Sequence, residues 1–99
     1  MVLIKILKSH RDIVAVCDNN LIGKKFEEGK LQIDVRENFF LGEDFDDKKA
    51  IEIIKKMSKE DSTFYIVGEK SVELASEAGI IGEDGIVTIQ GIPVALVLL

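Results

Sequence analysis

The stretch FYIVGEKSVELASEAG, residues 64–79, sets a glycine, a lysine and a hydroxyl at a strand-to-helix junction. Phosphate-binding loops are built that way, because the first amides of a helix point at an incoming anion. A Walker loop also needs an earlier glycine, so that successive amides wrap the phosphate. Here Gly68 stands alone, Glu69 separates it from Lys70, and a carboxylate at Glu69 would repel a phosphate. A plain junction explains the same residues. Gly68 starts the helix, Val67 and Val72 staple its first turn, and Glu69 suits the positive end of the helix dipole. Gly68, Glu69, Lys70 and Ser71 are therefore read first as a junction. The alternative is a small-anion seat on the amides of Lys70 and Ser71, serving a binding protein or an enzyme.

Three other clusters could do chemistry. Cys17 and Asp18 lie near His10 and Asp12 in sequence, as a nucleophile or metal cluster might require. An intervening strand, however, puts Cys17 roughly 15 Å from His10, at about 3.3 Å per residue. Cys17 reads as a small buried hydrophobe and His10 as a solvated turn residue. GEDFDD, residues 42–47, has four carboxylates but lacks the spacing of a calcium loop, and acids ahead of a helix serve as caps. GKKFEEGK, residues 23–30, sets Lys24, Lys25 and Lys30 around Phe26, the mixture of charge and stacking that single-stranded nucleic acid uses. Glu27 and Glu28 dilute it toward neutrality. Gly23, Lys24, Lys25, Phe26 and Lys30 are the best surface candidates, because no core requires these glycines and charges.

The elements that position these residues follow from pattern. Residues 2–8 and 12–18 read as two strands joined by a short turn, hence an antiparallel pair. Val14 to Cys17 are apolar on both faces, which places the second strand centrally. Residues 19–30 read as an exposed connection. LQIDVR, residues 31–36, alternates as a half-buried strand with Leu31, Ile33 and Val35 inward. A helix is expected from about Asp46 to Lys59, capped by Asp46, with Ala50, Ile51, Ile54 and Met57 as its apolar stripe. A strand at 63–67, a helix at 68–78 stopped by Gly79, and strands at 86–90 and 94–99 complete the chain. Pro93 lacks an N–H and cannot close a tight turn on Gly91-Ile92, so a longer or open loop is expected there. The order β-β-β-α-β-α-β-β is that of an α+β domain: two helices on a mixed, largely antiparallel sheet, in a single domain over residues 1–99.

Composition narrows the class. A chain of 99 residues with 46% hydrophobic and 31% charged residues and a net charge of -5 fits one acidic domain. That charge opposes broad binding to nucleic acid or to anionic membranes, though not a local basic patch. One cysteine excludes an internal disulfide and a multi-cysteine zinc site and fits a reducing cytoplasm. No apolar run approaches the ~20 residues of a membrane span. No metal or cofactor is expected. The apolar end VALVLL, residues 94–99, is read as an internal strand or as the seam of a homodimer.

In this order, IVAVCDNNLIGKKFEEGKLQIDV, FYIVGEKSVELASEAGII and IVTIQGIPVALV resemble the archaeal family called domain of unknown function 424. The resemblance covers nearly the whole chain. Its most specific parts are the Val-Cys-Asp strand end with the Leu-Ile-Gly and Phe-Glu-Glu-Gly-Lys that follow, and Val-Gly-Glu-Lys before Val-Glu-Leu-Ala. The family pattern carries a His and a Gln just after the proline equivalent to Pro93. Val94 and Leu96 hold those places here, so no role for that His carries over. The resemblance implies a small archaeal cytosolic protein without an established activity, with a link to translation or RNA. The function expected is a non-enzymatic accessory or binding module with a protein or RNA partner.

Overall fold

The computed structural model describes residues 2–98. Six strands form a mixed sheet in the order β5-β1-β2-β6-β8-β7. They are β1 (Val2–Leu7), β2 (Ile13–Asp18), β5 (Glu43–Phe45), β6 (Thr63–Val67), β7 (Val87–Ile89) and β8 (Ile92–Leu98). Only β2 and β6 run parallel. The other neighbours are antiparallel. A separate two-stranded hairpin consists of β3 (Lys25–Glu28) and β4 (Leu31–Asp34). The α+β class and the central place of β2 hold, with Val14 to Cys17 fully buried.

The helices α2 (Asp47–Ser58) and α3 (Glu69–Glu77) cover one face of the sheet. Ala50, Ile54 and Met57 of α2 pack with Val72, Leu74 and Ala75 of α3 on Val14, Val16, Phe64 and Ile66. The start of α2 is as expected. Asp46 caps it by accepting from the Lys49 amide at 2.9 Å. At the end of α3, Gly79 sits at φ 80°. The Ile80 amide donates to Ala75 at 3.2 Å and the Gly79 amide to Ser76 at 3.0 Å, which closes the last turn.

The opposite face has its own apolar layer. A 3-10 turn at Asn19–Leu21, the hairpin, and the short helix α1 (Glu37–Phe40) cover it. Leu21, Phe26, Ile33, Val35 and Phe40 pack there on Ala15, Cys17 and Val67.

Three sequence expectations change. Residues 19–30 are not a bare connection, since Lys25–Glu28 pair with Leu31–Asp34 around Gly29 at φ 60°. The strand at 31–36 belongs to this hairpin and ends at Asp34. Its alternation is real, but Leu31 lies at the hairpin tip, past the layer below. It is 45% exposed, while Val35 is fully buried. The third change is the loop near Pro93. Gln90 and Gly91 make a two-residue turn with φ of 52° and 79°, the mirror-image geometry that suits a hairpin. Pro93 lies inside β8 opposite Thr88. Its carbonyl accepts from the Gly68 amide at 2.9 Å, so the missing N–H leaves no bond unmade in the β7–β8 pair.

Candidate functional site

The start of α3 is the junction that the sequence singled out, and its amides are already occupied. Asp18, at the end of β2, reaches across from the neighbouring strand. Its Oδ2 accepts from the Lys70 amide at 3.1 Å, and its Oδ1 from the Ser71 amide at 2.8 Å. The Ser71 hydroxyl donates to the same Oδ1 at 2.7 Å. The carboxylate thus takes the position an external anion would occupy, satisfying the open amides and meeting the positive end of the dipole. An anion seat on these amides, expected as an alternative from the sequence, is filled from within the chain. A second anion there would meet the charge of Asp18.

Gly68 is required for two reasons. Its φ of 112° lies where side chains are strained, and a Cβ there would stand 2.3 Å from Asp18 Cγ. The bare backbone lets the carboxylate lie against the turn. Ser71 is fully buried. Glu69 stays exposed. Lys70 turns to α2, where its ammonium pairs with Asp47 at 2.8 Å. That hydrogen bond, with the charges of Asp47, Glu73 and Glu77, outweighs burial and raises the Lys70 pKa. The starts of α2 and α3 are thereby tied together.

The candidate residues at 23–30 lie on a different structure. Gly23, at φ 83°, donates to Val35 at 2.7 Å, and the Val35 amide donates to Lys24 at 2.8 Å. These bonds anchor the base of the hairpin. Phe26 pairs with Ile33 and is half-buried against the second apolar layer. Much of its ring is therefore engaged in packing. Lys25 pairs with Glu27 at 3.1 Å. Lys24 and Lys30 are exposed, and so is Leu31 at the tip.

The hairpin is fastened to the β7–β8 turn. The Glu27 amide donates to Gln90 Oε1 at 3.0 Å, and the Gln90 amide donates to Glu28 Oε1 at 2.7 Å. Gln90 is one of two non-glycine residues in the left-handed region, with Asp61, among the described residues. The structure brings the hairpin to Gln90; the bonds of the Gly68 junction run instead to Asp18, Asp47 and Pro93.

The structure keeps Cys17 and His10 apart. Cys17 is fully buried and opposite Leu3, whereas His10 is exposed beyond the other end of the same strand pair. Burial, with the nearby charge of Asp18, pushes the Cys17 thiol up to about 12, so at neutral pH it is a protonated, inert packing group. Among the described residues, no group of three or more His, Cys, Asp or Glu is arranged to hold a metal ion.

Sequence reasoning missed Asp18 as the cap of α3 and Gln90 as the fastening of the hairpin. No local signal marks Asp18, whose partner Ser71 is 53 residues away. For Gln90 the one signal was Gln-Gly between two apolar runs.

Comparison with known proteins follows the same lines. The family model described as "Protein of unknown function (DUF424)" matches residues 8–99. A crystal structure of an uncharacterized conserved protein from Methanopyrus kandleri superposes with a TM-score of 0.82 at 25% identity, covering 98% of this chain and 91% of that one. No curated protein matches.

Proposed function

We propose, for a chain that belongs to the DUF424 family of proteins of unknown function, that it is a small binding module whose contact surface is the β3–β4 hairpin. The observation that carries this reading is the hairpin itself. It stands outside the main sheet and exposes Lys24, Lys25 and Lys30, with Leu31 at its tip past the apolar layer. Two-stranded hairpins are marginal alone, yet this one is anchored at its base and fastened again at Gln90. The rest of the layer supports its underside, and the residues left outward serve no core.

A protein partner fits this surface better than extended single-stranded RNA. Stacking on bases needs a free aromatic face, and Phe26 is packed. Lys25 is neutralised by Glu27, and the whole chain is acidic at -5. An exposed leucine at the tip, among charges of both signs, suits a protein partner whose contact face is apolar with a mixed polar rim. The Methanopyrus relative supports an archaeal setting. No helix among the described residues is long and apolar enough to cross a membrane, and a cytoplasmic location forms part of the proposal.

The test is affinity capture from the native host with wild-type chain and with Lys24→Glu combined with Lys25→Glu. Loss of a nuclease-resistant protein partner by the variant is the expected result. Retention of every wild-type partner by the variant removes the hairpin from the interface.

A further inference from the structure

The sheet loses a strand halfway along β1. That strand runs from Val2 to Leu7, but β5 pairs only with Val2 to Ile4. Past Ile4 this edge of β1 has no neighbouring strand among the described residues. Ile6, which shares a face with Ile4, is 39% exposed there. Helix α2 passes beside it, and a cleft of about 350 Å³ opens between the helix and this corner of the sheet. Small-molecule sites measure about 300–1,000 Å³.

Register fixes what lines it. Glu43 is opposite Ile4 and Phe45 opposite Val2, so both side chains are on the face that α2 covers. Ile53, Lys56 and Met57 line the cleft from the helix, about one turn apart at most. Ile4 and Met57 are buried, and Phe45 and Ile53 are half-buried against the same core. Two groups in this apolar lining are charged, the Glu43 carboxylate and the Lys56 ammonium. They are opposite in sign, and neither has an ion-pair partner among the described residues. The cleft is on the helix face of the sheet and the hairpin on the other, so the two surfaces are separate.

We infer that this cleft binds a small zwitterion with an apolar body, of the class of free α-amino acids with large apolar side chains. Charge complementarity selects that occupant. The aliphatic and aromatic lining favours an apolar body. An apolar anion such as a fatty acid would meet Lys56 but set its charge against Glu43, and an apolar cation would do the reverse. A molecule with one carboxylate and one ammonium answers both groups. The interior of a polypeptide carries neither charge on its backbone, which favours the free amino acid over a peptide. Both charged side chains are exposed, so each pair adds little and the affinity falls in the millimolar range.

NMR titration of the chain with L-leucine and with L-phenylalanine tests this. The backbone amides of Ile4, Ile6, Glu43, Phe45, Ile53 and Met57 shift and saturate with at least one of the two. Glycine, which lacks the apolar body, N-acetyl-L-leucine, which lacks the ammonium, and L-leucinamide, which lacks the carboxylate, all bind more weakly than L-leucine. Glu43→Gln weakens amino-acid binding about three-fold and does not weaken N-acetyl-L-leucine. Lys56→Gln weakens it to the same degree and does not weaken L-leucinamide. Both residues are exposed and unpaired, so both variants keep the wild-type circular dichroism spectrum. Absence of a saturable shift with either amino acid overturns the proposal. So does undiminished binding by both variants, shifts confined to residues outside the cleft, or tighter binding of the acetylated or amidated derivative than of L-leucine.

Discussion

Asp18 places three hydrogen bonds of a charged acceptor at one helix start, in a partly buried setting. Bonds to a charged group contribute about 1.5–3 kcal/mol, and a lost N-cap costs about 1 kcal/mol. Asp18→Ala should therefore lower unfolding free energy by about 3 kcal/mol, read as a shift in urea midpoint at constant slope. It should also open the amides of Lys70 and Ser71. Their NMR resonances then shift on titration with inorganic phosphate, which leaves the wild-type resonances in place. A variant that loses less than about 0.5 kcal/mol and gains no phosphate response would contradict the role given to Asp18. This contact was not legible in advance. Asp18 and Ser71 are 53 residues apart, and local spacing carries no trace of a partner from another strand. The lone glycine of VGEKS was legible; what lies against it was not.

At the scale of elements, long periodic segments were readable and short ones were not. The stripe of Ala50, Ile54 and Met57 and the cap at Asp46 located α2 to within a residue. The strand β3, KFEE, has one apolar residue among charges, and β5, EDF, has one likewise. Such segments become strands because a neighbour offers its edge, which periodicity does not record. The turn at Gln90-Gly91 was hidden because Gln rarely adopts a positive φ. Its place is held by bonds to Glu27 and Glu28. Gln90→Ala removes the acceptor of the Glu27 amide, worth about 1 kcal/mol. Amide hydrogens of residues 25–34 should then exchange about five-fold faster, while those of β2 and α3 keep their rates. Uniform acceleration across the molecule, or none, would show that Gln90 does not fasten the hairpin.

At the scale of the molecule, two apolar layers enclose the central strand, and Cys17 reports on the one beneath the hairpin. Its thiol is pushed from 9.0 to about 12, chiefly by burial. The folded value lies above the unfolded one, so the contribution is complete below pH 9.0 and is lost progressively as pH rises towards 12. Wild-type stability should fall more steeply than that of Cys17→Ala from pH ~9 upwards, measured by urea midpoints. Parallel curves would mean that the thiol meets solvent in the folded state.

The proposal places the contact surface on the exposed residues of the hairpin. The direct measurement is hydrogen exchange on the chain bound to the partner that co-purifies from its host. Protection gained at Lys24–Leu31, with no change at Lys70 and Ser71, is the predicted footprint. Protection confined to the start of α3, with the hairpin exchanging as in the free chain, would contradict it.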